Sequence, residues 1–231
     1  MRSSNQFWVH GIPATFATKG EVPWKKALEC SVYSIPIPSS ENFGLNLKFI
    51  LPTLAPNNHP LDIDNLCEPV FSVLVNKLGW FGGKRPNIKW WRAMKICGQP
   101  SGLQLSAETR IPLEMTRLFG NLLFDGVYEG ELPRKATDNQ IPSWLNSLKE
   151  FESSQNNGRF VIRLQFGGLK LNIGNIATGE VKSIIDCLYP VIGGLKGKPE
   201  DWRVDALQVE KGTTNLDDSV RISIWNVSTP N

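Results

Sequence analysis

Residues 62–79 read DIDNLCEPVFSVLVNKLG. Leu66, Val70, Val73, Leu74 and Leu78 recur at helical spacing, so the stretch is predicted to be an amphipathic helix. Asp64 suits the N-cap, where a short oxygen acceptor satisfies free backbone N–H groups, and Pro69 falls early in the helix. Upstream, residues 45–52 (LNLKFILP) alternate Leu45, Leu47, Phe49 and Leu51 with more polar positions, the pattern of a strand. The intervening TLAPNNHPL is rich in Pro and Asn and cannot prolong that strand. Downstream lie a glycine-rich basic loop, GWFGGKRPN, and the segments 88–96 (IKWWRAMKI) and 103–108 (LQLSAE), read as a strand pair. Strand, loop, helix, Gly/Lys loop and two strands together predict an α+β unit.

The same order returns further along the chain. FVIRLQFG (160–167) reads as a strand and Thr178–Val191 as a helix carrying Val181, Ile184, Ile185 and Leu188. GGLKGKPED is a second Gly/Lys loop, followed by strands at 202–211 and 219–225. The Trp-Arg pairs Trp91-Arg92 and Trp202-Arg203 are offset by 111 residues, as are the pairs Gly82-Gly83 and Gly193-Gly194. A near-constant offset points to two diverged copies of one unit, forming an intramolecular pseudo-dimer. The expected organisation is a first half at 1–110, a helical connector at 111–155 and a second half at 156–231. Within the connector, Ile111–Phe124 and Pro142–Phe151 are expected to be helical. Near the N-terminus, Phe7–Val9 reads as a strand before a Gly11-Ile12-Pro13 turn, and Glu29–Ile37 as extended.

The bulk numbers bound the class. With 231 residues, 41% hydrophobic and 20% charged, the chain is an ordinary globular protein that can bury a sizeable core. No run of about eighteen apolar residues appears and MRSSNQFWVH lacks a signal-peptide core, so a soluble cytoplasmic protein without a membrane partner is expected. Cys30, Cys67, Cys97 and Cys187 form no CxxC, and His10 and His59 stand alone, which argues against a zinc cluster and for reduced, mostly buried thiols. A net charge of +3 permits nucleic-acid binding without arguing for it.

The chemistry centres on Asp62 and Asp64. Two carboxylates two residues apart at a loop-to-helix junction can face one small volume. Mg2+ favours such a site, with a few carboxylate oxygens and the rest water. A metal held there activates water and stabilises charge on a phosphodiester. Helix capping explains the same residues without a metal.

DIDNL and the helix after it resemble the acidic turn and helix of the RusA family of Holliday junction endonucleases. VKSIIDCL, PEDWRVDALQVEK and VRISIW resemble that family's helix, later acid and terminal strands, and FWVHGIPATF its opening strand and turn. The resemblance leaves out about residues 110–155. It implies a Mg2+-dependent endonuclease, with Mn2+ as a substitute, acting on branched DNA in recombination and repair. The site it implies has Asp62 and Asp64 as metal ligands, Asp201 (or Glu200) as third acid and Lys182 as a phosphate or transition-state contact.

The departures are complementary. In the first half the family's helix lysine falls on Glu68, and the third acid falls near Lys89-Trp90, where there is none. In the second, the turn Ile176-Ala177-Thr178-Gly179 has no carboxylate pair, yet Lys182, Asp186 and Asp201 match. The family acts as a homodimer, and a fused chain, alone or in a higher homo-oligomer, can supply one composite site from both halves. That requires Asp62 and Asp64 to lie within about 10 Å of Lys182 or Asp201, since a metal draws its ligands to about 2 Å. Decay of both sites into a catalytically inactive DNA- or protein-binding module is the alternative, and an unrelated α+β interaction protein is a third reading. Lys84, Arg85, Lys196 and Lys198 in the Gly/Lys loops are the expected nucleic-acid contacts, near Trp80, Trp90, Trp91 and Trp202.

Overall fold

The computed structural model describes residues 6–37, 43–53, 61–85, 88–109, 119–148, 158–168, 171–177, 179–212 and 218–227. It is a mixed α/β structure built on one eight-stranded sheet. The first half contributes β1 (Gln6–His10), β2 (Gly44–Leu51), β3 (Trp90–Cys97) and β4 (Gly102–Glu108). The second contributes β6 (Phe160–Phe166), β9 (Val204–Lys211) and β10 (Ser219–Val227), and the expected helical connector contributes β5 (Phe119–Glu129), which joins them. The spatial order is β1-β4-β2-β3-β9-β6-β10-β5.

In the first half, β4 pairs antiparallel with both β1 and β2, and β2 runs parallel to β3. In the second, β10 pairs antiparallel with both β5 and β6, and β6 runs parallel to β9. The antiparallel β3–β9 pair joins the two sets into one sheet. Strands β3 and β4, expected to pair, are instead separated by β2. Their short connection permits a hairpin, but β2, with Leu45, Leu47, Phe49 and Leu51 all fully buried, takes the place between them.

The helices are α1 (Glu21–Val32), α2 (Ile63–Phe71), α3 (Gln140–Leu148), α4 (Glu180–Cys187) and α5 (Tyr189–Ile192). Helix α2 continues as a π-helical turn over residues 72–77, and β7 (Gly194–Leu195) and β8 (Lys198–Pro199) form a small hairpin. Leu66, Val70, Ile184 and Ile185 pack with Leu47, Phe49, Trp91, Ile162, Leu164, Leu207 and Val209 in one continuous core. Alternation puts Val161 and Ala206 in a second, small cluster beside Met94 and Trp225. Trp91 is fully buried, stacks edge-on against Phe71 and donates its Nε1 hydrogen to the Ile173 carbonyl at 2.8 Å, tying β3 to the second half.

Two expectations are corrected. Glu29–Ile37 is not extended, because α1 runs through Val32. Trp24, Leu28 and Val32, spaced by four and all buried, fix one helical face that the nearby prolines disguise. The expected helix Ile111–Phe124 does not form over 119–124, which belong to the edge strand β5, held by its register with β10. Residues 110–118 of that expectation, and 149–151 of the expected helix Pro142–Phe151, lie outside the described residues, as does His59. The helix itself is α3, with Ile141, Pro142 and Leu145 buried. Among the described residues no helix is long and apolar enough to cross a membrane. None of the four cysteines is paired: Cys67 and Cys187 are buried, whereas Cys30 and Cys97 are exposed.

Candidate functional site

The parallel β2–β3 pair delivers α2 from the carboxyl end of β2, the end at which parallel strands commonly present ligand sites. Because β9 runs antiparallel to β3, the turn of residues 201–203 that opens β9 comes to the same end. Lys95, near the end of β3 and only 2% exposed, staples these loops together. Its Nζ donates to the Leu61 and Trp202 carbonyls, each at 2.6 Å. Burial, then the Arg159 cation, pulls the Lys95 ammonium down to about 8.

Four carboxylates gather there around one ammonium. Lys182 Nζ, from the first turn of α4, lies 3.0 Å from Asp64 Oδ2, 3.2 Å from Asp186 Oδ1 and 3.6 Å from Asp201 Oδ2. Asp62, not Asp64, is the N-cap residue of α2, so the helix begins two residues earlier than expected and Asp64 sits in its first turn. The Asp62 side chain caps no backbone group and instead accepts a hydrogen bond from Asn65 Nδ2 at 2.9 Å. Asp64 is fully buried, and its Oδ1 has no hydrogen-bond partner among the described residues.

The electrostatics follow from burial and crowding. Burial, then the Asp62 and Asp64 charges, pushes the Asp201 carboxyl up to about 8. Burial raises Asp62, with Asp64 adding to the effect, and burial raises Asp186 against the opposing pull of Lys182. Burial alone would lower Lys182, but Asp64, Asp186 and Asp201 outweigh it and hold the ammonium well above the usual lysine range.

Asp64 and Asp201, at 3.0 and 3.6 Å from Lys182, are therefore brought together from both halves inside the 10 Å that a composite site requires, and Asp62 lines the same cleft as Asp201. The alternative acid Glu200 is not part of the cluster and pairs with Arg203 at 2.9 Å. Among the described residues no three His, Cys, Asp or Glu side chains are spaced as a formed metal centre; the carboxylates converge on Lys182 instead. Their chemistry still suits a hard cation. Asp62, Asp64 and Asp201 supply oxygen donors, and the unpartnered Asp64 Oδ1 is a buried acceptor without a donor.

The corresponding place in the other half has different content. Glu68 accepts both contacts of Arg85 Nη1 at 3.1 Å, and Arg85 also donates to the Gly174 carbonyl at 3.3 Å. Ile176, where a carboxylate would be needed, is fully buried and apolar, and Thr178 lies outside the described residues. Of the expected nucleic-acid contacts, Lys84, Lys196 and Lys198 are exposed, whereas Arg85 is spent on Glu68 with its side chain 13% exposed. Trp80, Trp90 and Trp91 are buried core residues, while Trp202 is half-buried at the site. Lys95 escaped the sequence reading; its one signal is a lysine inside an apolar strand. His10 accepts a hydrogen bond from Trp8 on β1.

Compared with protein families and with curated proteins, the sequence matches none. Among solved structures it is similar to a cyanuric acid hydrolase described as "evolutionary innovation by structural concatenation". The identity is 11% and the TM-score 0.29, over 96% of this chain and 67% of that one. At that score the likeness carries no argument about fold or activity.

Proposed function

We propose that this chain is a divalent-cation-dependent DNA endonuclease resembling the RusA resolvases, folded as an intramolecular pseudo-dimer of two diverged units. The repeated strand-pairing pattern of the two sheet halves supports the duplication, together with the constant offset of the Trp-Arg and Gly-Gly pairs. The observation that carries the activity is the meeting of Asp62 and Asp64 with Lys182 and Asp201 across the junction of the halves. In this reading Asp62, Asp64 and Asp201 would hold Mg2+ or Mn2+. The cation would supply Lewis acidity and an activated water for phosphodiester hydrolysis. Lys182 then turns from the carboxylates toward the phosphate, whose developing charge it offsets. The exposed Lys84, Lys196 and Lys198 contact the DNA backbone.

Cleavage of a synthetic four-way junction with Mg2+, beside linear duplex, tests this. The wild type is expected to cut the junction and an Asp62→Asn/Asp64→Asn double variant is not. Equal cutting by both would remove the cluster from the chemistry.

A second reading, a catalytically silent junction-binding protein, is favoured by one observation. Lys182 already occupies the space among the carboxylates, and the Glu68–Arg85 pair fills the other half's site. Tight junction binding without cleavage in Mg2+ or Mn2+ would select it.

A further inference from the structure

A cleft of about 700 Å³ opens beside the carboxylates. Its walls include Ile12 and Pro13 from the segment after β1, Pro52 after β2, and Trp202, while Asp62 and Asp201 stand in the same lining. Ile12 is 70% exposed, an unsatisfied apolar surface at the mouth. Trp202 is held in place from one side: the Arg159 guanidinium lies 5.6 Å from the ring centroid and is itself paired with Asp205. Lys19 adds one cation to the lining.

The occupant must satisfy apolar, flat walls and a carboxylate floor at once. An unpaired nucleotide does so. Its base offers two free π faces to Trp202 and the prolyl rings, and its phosphate brings negative charge toward Lys19 and toward any cation held by the carboxylates. A base inside a duplex is stacked between its neighbours and has no free face to offer. A cavity of this size lies in the range of small-ligand sites and admits a nucleotide but not a duplex. We infer that this cleft receives an unpaired nucleobase, stacked on Trp202, from the strand whose phosphodiester lies at Asp62 and Asp201. The inference rests on the nuclease reading for its substrate class and adds where the strand must be open.

The test uses four-way junctions carrying 2-aminopurine at each nucleotide flanking the branch point, titrated with the full chain in Ca2+. Binding of the wild type is expected to change fluorescence at least twofold at one of these positions and at none in a paired duplex. Trp202→Ala is expected to abolish the change and weaken junction binding about five- to hundredfold, the range for loss of one stacked base. Ile12→Glu, at an exposed position that folding tolerates, is expected to act in the same direction and decides the matter if Trp202→Ala unfolds. An unchanged signal at every position of a bound junction overturns the inference, as does a Trp202→Ala variant that keeps both signal and affinity. Cleavage in Mg2+ is scored separately. A 2-aminopurine response without cleavage refutes the nuclease reading alone, cleavage without the response refutes the base cleft alone, and no junction binding refutes both.

Discussion

Replacing Lys182 with Met removes the one ammonium that Asp64, Asp186 and Asp201 share. Met keeps a similar apolar stem, so the change is chiefly in charge. Asp64 is 0% exposed and is left with neither oxygen satisfied among the described residues, since Oδ1 already lacks a partner. Stripping one partner from a buried ion pair costs about 3–5 kcal/mol, and the 23% exposure of the lysine side chain points to the lower end, about 3 kcal/mol. For a chain of this length that corresponds to a Tm lower by roughly 6–12 °C. Urea denaturation at pH 8 measures it. The pH dependence has a fixed sign. Lys182 opposes the rise of Asp62, Asp186 and Asp201, so without its ammonium these three carboxyls have folded-state pKa values raised further above their unfolded values. Such groups give stability that is present at low pH and lost as pH rises. The gap between variant and wild type therefore closes toward pH 4. Adding Asp64→Asn removes the buried charge and recovers part of the loss. A Lys182→Met protein within about 0.5 kcal/mol of wild type at pH 8 would mean that Lys182 holds no buried pair, because only surface charges cost so little to remove.

Asp201→Asn tests the same cluster from the other side. Its carboxyl, raised to about 8, contributes stability that is complete below pH 4 and lost as pH rises through 8, so the Asn variant should show a flatter profile and exceed wild type at pH 9 in chemical denaturation. Trp91→Ala should cost about 3–5 kcal/mol by the same assay, since it empties a fully buried site and orphans the Ile173 carbonyl. Arg85→Met should destabilise by about 2–3 kcal/mol yet leave junction affinity unchanged, because the guanidinium serves Glu68. Lys196→Ala/Lys198→Ala should do the reverse, leaving the melting temperature alone and reducing both junction affinity and its salt slope in anisotropy titrations.

Much of this was legible where one period dominated. The alternation at Leu45–Leu51 and Phe160–Phe166 placed β2 and β6, and the helical spacing from Leu66 placed α2. Helix α1 was hidden because Pro36 and Pro38 read as punctuation that ends an extended segment, while the Trp24-Leu28-Val32 stripe is only three residues wide. Strand β5 was missed because an edge strand carries a weak apolar signal: Leu122 and Val127 are exposed, and its register comes from β10 far along the chain. The separation of β3 from β4 is likewise a choice made by tertiary packing. At the site, Asp62 and Asp64 were visible as a local pair. Their partners Lys182 and Asp201 were suggested only by the family resemblance, and a lysine inside an apolar strand was the one sign of Lys95, whose role exists only once two distant carbonyls meet. The Glu68–Arg85 pair was likewise invisible, since a charge reversal in sequence does not reveal the cation that answers it.

Whether one cation site draws on both halves is read by calorimetric titration with Mn2+ of the wild type, Asp64→Asn, Asp201→Asn and the double variant. The wild type is expected to bind, either single variant to lose at least tenfold in affinity, and the double variant to lose little more, as befits ligands of one ion. Wild-type affinity retained in Asp201→Asn while Asp64→Asn loses it, or no Mn2+ binding by the wild type at all, would show that the two halves share no cation site.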